Sequence, residues 1–147
     1  MSTPTQRLAE LGLTLPPVAK PLAAYTPAIT VGNQVWVSGQ LPLRDGKLVA
    51  TGRLGDAVEP AEGAEAAKVA ALNALAAVAD QAGGLDNVAR ILKAVVFVAS
   101  TTDFTAQPQV ANGASELLGE VFGTPHVRSA VGVAVLPIDA PVEVELV

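Results

Sequence analysis

PAEGAEAAKVAALNALAAVADQAGGLDNVARILKAVVFVAS, residues 60–100, changes its period part-way along, and that change decides the fold. From Pro60 to Ala82 the apolar residues recur in helical steps. Val69, Leu72, Leu75 and Val78 lie three apart, with alanines filling the neighbouring positions. Pro60 suits a first helical turn, where the missing amide would have no partner, and Gly83-Gly84 suits the stop. From Ile91 to Ser100 the run has an unbroken apolar centre, Val95-Val96-Phe97-Val98, as in a strand buried on both faces. A long helix followed closely by a two-sided strand predicts helices packed on a sheet.

Upstream, PTQRLAELG (4–12) predicts a short helix in which Thr5 can cap and Leu8 and Leu11 share a face. PPVAKPLAAYTP (16–27) is a proline-rich extended connector. AITVGNQVWVSGQLPL reads as a hairpin turning at Gly32-Asn33, and RDGKLVATG adds a turn at Asp45-Gly46 with a third short strand. Downstream, Asp103 opens a second helix to about Phe122, with Pro108 early and Val110, Leu117, Leu118 and Val121 inward. Strands over 128–136 and 141–147 flank a turn at Pro137-Ile138-Asp139. The order βββαβαββ is an α+β layout in a single domain over residues 1–147, of which 1–24 form the N-terminal helix and connector.

The composition narrows the function. With 50% hydrophobic and 16% charged residues in 147, the chain can bury a real core. It has no cysteine, which excludes disulfides, thiolate metal sites and cysteine nucleophiles, and one histidine excludes a multi-histidine metal site within one chain. A formal charge of −5, with nine scattered basic residues, argues against a nucleic-acid partner. The N-terminus lacks the layout of a signal peptide, and no uncharged apolar window approaches the roughly 18 residues of a membrane span. The expectation is a soluble cytoplasmic protein.

The strands also predict association. Helices cover one face of a sheet, yet the 91–100 strand is apolar on both. In the 128–136 strand Val131, Val133 and Val135 share one face, and Ala130, Gly132 and Ala134 the other. The second sheet face is therefore expected to be buried between subunits.

Charges interrupt the last segment, HVRSAVGVAVLPIDAPVEVELV (126–147). Arg128 is the only Lys or Arg after Lys93. Its planar fork suits a small carboxylate ligand, or equally a salt bridge to Glu143 or Glu145 on the neighbouring strand. Those two carboxylates alternate with Val142, Val144 and Leu146, so they point to one side. One of them beside a ligand-binding arginine could hold a water as general base; otherwise they mark a solvated edge strand. Ser38-Gly39 ends a bulky strand abruptly, as a ligand contact or as a bulge. Tyr25 could lid a pocket or pack on the surface, and His126 belongs to the loop before its strand.

VWVSGQLP, AVVFVASTTDF, and RSAVGVAVLP followed by VEVELV together resemble the Rid/YjgF family of enamine/imine deaminases, formerly labelled endoribonuclease L-PSP-like. The resemblance runs from about Tyr25 to Val147, and is strongest to a longer branch with an extra N-terminal helix and an insertion around Leu48–Glu59. It implies a chorismate-mutase-like fold with a mixed sheet and two helices on one face, assembled as a homotrimer with clefts between subunits. It also implies cofactor-independent hydrolysis of 2-imino acids such as 2-iminopropanoate and 2-iminobutanoate, with no metal. Arg128 matches the arginine that grips the substrate carboxylate, and Glu143 the acidic residue that positions water. Tyr25, Ser38 and Gly39 match residues beside the ligand, and Asn112 an asparagine near the cleft. Ala130 stands where many members carry cysteine, the connector reads AAYT in place of GPYS, and Pro27 replaces a glutamine. These departures alter the pocket wall at Ala24, Pro27 and Ala130. A trimeric carboxylate-binding protein without turnover is the alternative.

Overall fold

The computed structural model describes residues 2–19 and 24–147. Its elements are α1 (Pro4–Glu10), β1 (Ala28–Val31), β2 (Gln34–Gln40), β3 (Leu43–Arg44), β4 (Lys47–Leu48), α2 (Pro60–Ala82), β5 (Lys93–Ala99), α3 (Gln107–Phe122), β6 (Val127–Val133) and β7 (Val142–Leu146). Five strands make one sheet in the order β1-β2-β7-β5-β6. All neighbours are antiparallel except β5 and β6, which run parallel, so the sheet is mixed. Strands β3 and β4 form a separate small hairpin, adding one strand to the expected order.

The core lies between the sheet and two helices. Val69, Leu72, Leu75 and Val78 of α2 are all buried, as are Val110, Leu117, Leu118 and Val121 of α3. Alternate strand residues face them: Ala94, Val96 and Val98 of β5, and Val142, Val144 and Leu146 of β7. The alanine-rich sequence lets backbones approach closely. Buried Asn73 in α2 spends its amide on the Leu41 and Leu43 carbonyls, at 3.0 and 2.9 Å, tying the helix to the chain entering β3. α1 docks through buried Leu8, and Thr5 N–H donates to Asp86 Oδ1 at 2.8 Å.

Three boundaries depart from the sequence reading. Thr3, not Thr5, caps α1; it forms a reciprocal box with Gln6, and Pro4 takes the first turn. α3 starts at Gln107 rather than Asp103, because Pro108 is tolerated only in a first turn. Asp103 instead accepts from Thr101 Oγ1 at 2.6 Å in the preceding turn. β6 ends at Val133, three residues early. The Tyr25 connector is only partly described, since residues 20–23 fall outside the described set.

The opposite sheet face has no helix over it. It carries Ile29 paired with Trp36, Val95 and Phe97 of β5, and Val127 and Val131 of β6. Val127 is 66% exposed and Val131 43%, too much apolar surface for a finished face.

Gly113 of α3 and Gly119 six residues later test the helix packing. A Cβ on Gly113 would run into the Ala64 carbonyl of α2, whereas one on Gly119 meets open space. Gly113→Ala should lower stability by about 1–3 kcal/mol, and Gly119→Ala should raise it by about 0.5–1 kcal/mol through helix propensity. Urea unfolding of both variants measures this.

Candidate functional site

Arg128 is the second residue of β6, the edge strand beside β5. Register pairs it with Ala94, so its side chain projects to the helix face, toward α3. There Nη1 donates to Asn112 Oδ1 at 2.8 Å and to Ser115 Oγ at 3.1 Å, and Nη2 donates to the Pro108 carbonyl at 3.3 Å. Residues 108, 112 and 115 form one stripe of α3, at the four- and three-residue steps that share a helix face. All three partners are neutral, so the guanidinium charge has no counter-ion among them. Among the described residues, three of the five arginine donors are used. The two left, on Nε and Nη2, belong to an edge that can grip a carboxylate bidentately.

Glu143 and Glu145 lie on the other side of the sheet. Glu143 pairs with Phe97 and Glu145 with Val95, both on the uncovered face. The salt bridge to Arg128 considered from sequence is therefore not made within one chain, because the sheet itself stands between the groups. For the same reason Arg128 and Glu143 are not neighbours in a single chain. Which way Arg128 points depends on the β5–β6 register, and nothing local in the sequence reports that register.

The Glu143 carboxylate rests against Gly39. A register shift between Val37 and Gln40 makes a β-bulge at Ser38-Gly39, and any Cβ on Gly39 would overlap the carboxylate. Burial first, and the neighbouring Glu145 charge second, push the Glu143 carboxyl above its ordinary value. Ser38 Oγ and Ser38 N–H both donate to the Pro27 carbonyl, at 3.0 and 2.9 Å. They fix the end of the connector that carries Tyr25, whose side chain is half exposed. Ala130 follows Arg128 on the helix-face row and packs against the core.

The candidate residues thus fall into two groups. Arg128 and Ala130 lie on the helix side of the sheet, with Asn112 on α3 itself; Glu143 and Gly39 lie on the uncovered face, with Ser38 and Tyr25 at the adjoining connector. Ser115 was not picked out from sequence, although it is polar and three residues from Asn112 on the flank of an apolar helix stripe.

A model of the family described as YjgF/chorismate mutase-like, which also carries an endoribonuclease label, matches residues 5–147. The chain belongs to this family. Protein TCP17 of Trypanosoma cruzi is 45% identical over 94% of this chain and 88% of its own. The crystal structure of Atu1372 from Agrobacterium tumefaciens, of unknown function, matches with a TM-score of 0.89 at 44% identity, covering 98% of this chain and 90% of that one. A 2-iminobutanoate/2-iminopropanoate deaminase from Dermatophagoides farinae is 29% identical, over 90% of this chain and 91% of its own. E. coli TdcF, solved with bound serine, aligns with a TM-score of 0.64 at 26% identity, covering 90% and 91%. The fold is the YjgF/chorismate-mutase-like one. Among the described residues no helix is long and apolar enough to cross a membrane.

An acid whose folded pKa is raised stabilises the fold while protonated, and that contribution is lost as pH rises through the folded value. Glu143→Gln should therefore melt with wild type near about pH 4 and above wild type near about pH 8. Thermal melts across that range provide the check.

Proposed function

We propose that the protein hydrolyses small 2-imino acids, and the enamines in equilibrium with them, to 2-oxo acids and ammonia. The observation that carries this reading is Arg128, held by three neutral groups with a carboxylate-matching edge unused. We further propose a homotrimer that buries the uncovered sheet face and places Glu143 of one subunit across a cleft from Arg128 of the next. Two facts favour the shared cleft: the two groups are separated by the sheet within a chain, and the face bearing Glu143 is apolar and uncovered.

The chemistry asks little of the protein. In a 2-imino acid the C=N carbon is already electrophilic, so orientation, a water molecule and proton movement suffice. Arg128 binds the substrate carboxylate, with Asn112 steadying the guanidinium. Glu143, its proton affinity raised by partial burial, holds water, takes its proton as the oxygen bonds to carbon, and hands that proton to the nitrogen that receives the C=N electron pair. The resulting carbinolamine carries an amino group and a hydroxyl on one carbon. Glu143 then moves the hydroxyl proton to nitrogen, so that C=O forms as the C–N bond breaks and ammonia leaves with its electron pair, giving the 2-oxo acid. No cofactor enters. Ser38 and Gly39 set the Glu143 side of the cleft, Tyr25 covers it, and Ala130 leaves its wall wider than a bulkier residue would. The deaminase relative and the serine-bound TdcF support a small carboxylate-bearing ligand. The endoribonuclease label of the family sits poorly with a net charge of −5 and scattered basic residues.

The test is to generate 2-iminobutanoate in situ from an amino-acid-oxidising enzyme and follow its loss. Wild type should exceed the water rate. Arg128→Ala should lower kcat/KM about a hundredfold, mostly through KM, while Glu143→Gln should lower kcat with KM little changed. Wild type that binds 2-oxobutanoate through Arg128 but adds nothing to the water rate would establish a binding protein instead.

A further inference from the structure

His126 is the chain's only histidine and precedes Arg128 by two residues, in the loop entering β6. Its Nε2 lies 3.0 Å from Ser115 Oγ, the same oxygen that accepts from Arg128 Nη1 at 3.1 Å. An arginine only donates, so Ser115 is an acceptor on that side. His126 Nδ1 is buried without a partner among the described residues. An unpaired buried N–H is costlier than an unpaired lone pair, which places the ring proton on Nε2, donated to Ser115. Burial first, and the Arg128 charge second, hold the imidazole below its ordinary value, which favours the neutral ring.

Two donors, two residues apart on the chain, therefore converge on one hydroxyl oxygen of α3. A serine on a helix surface ordinarily chooses among rotamers. Here turning away would abandon both Nη1 and Nε2. We propose that His126 is a positioning residue for Arg128, acting through Ser115: the imidazole locks the serine, and the serine with Asn112 locks the guanidinium so that its Nε edge faces the ligand. This rests on the reading of Arg128 as a carboxylate clamp, and adds to it a residue that never touches substrate. Pro108, Asn112 and Ser115 hold the guanidinium from the helix; His126 braces Ser115 from the loop.

Because the protein has one histidine, its two imidazole nitrogens can be observed by NMR without assignment. In wild type at pH 7 the neutral Nε2–H tautomer is expected, with a slowly exchanging proton that becomes fast-exchanging in Ser115→Ala. Arg128 should show separate, slowly exchanging Nη signals, which merge in His126→Ala. In the imine assay His126→Ala should raise KM about tenfold, as for loss of a hydrogen bond supporting a charged group, and lower kcat less. His126→Gln, whose amide can donate to Ser115, should recover most of that loss. Melting curves exclude unfolded variants. A folded His126→Ala that keeps restricted Arg128 Nη signals overturns the proposal, as does one with wild-type KM. If wild type turns over no imine, the deaminase reading alone fails, and the Arg128 signals still decide whether His126 positions the guanidinium.

Discussion

Strand β5 is apolar on both faces, but α2 and α3 lie on only one face of its sheet. Val96 and Val98 are sealed beneath the helices, whereas Val95 and Phe97 are only half-buried. With Ile29, Trp36, Val127 and Val131 on the same uncovered side, the face is too apolar to be left in water. The two-sided strand thus governs more than the fold. It divides the sheet into a finished side and an unfinished one, and the charged groups are distributed between them.

That division sets the logic of the candidate site. Arg128 sits on the finished side at an edge, where α3 supplies three neutral acceptors without cancelling its charge. Glu143 sits on the unfinished side, against a glycine bulge, where partial burial raises its proton affinity. A cation that binds carboxylate and a carboxylate that takes protons would quench each other if they met directly in one chain. Separated by the sheet, the two groups do not meet within one chain, and only the proposed intersubunit cleft would let one ligand reach both.

Much of this was legible in the sequence. The helical steps of Val69 to Val78, the Gly32-Asn33 hairpin and the alternation of β7 each follow from local periodicity, which local sequence encodes. Arg128, Glu143, Ser38 and Gly39 stood out because charge and glycine are anomalous in apolar strands. The relative side of Arg128 and Glu143 was not legible, since it depends on the pairing of β6 and β7 with β5 across long separations. The cap at Thr3 and the helix start at Gln107 differ from the sequence reading for a nearer reason: Pro4 and Pro108 belong in first turns, and they outrank the nearby Thr5 and Asp103 as punctuation. Ser115 escaped notice because a serine on a helix flank carries no signal until a strand places an arginine beside it.

The claim that the clamp and the proton acceptor come from different subunits has one direct measurement. Arg128→Ala and Glu143→Ala chains, each inactive alone, are unfolded together at equal concentration, refolded, and assayed for imine hydrolysis. In a cyclic trimer each cleft joins two different chains, so random mixing rebuilds about a quarter of the clefts with both groups intact. The account predicts recovery of that fraction of wild-type activity. Properly refolded mixed trimers with no activity above the two parents would contradict it, and would place both functions within one chain or outside these residues.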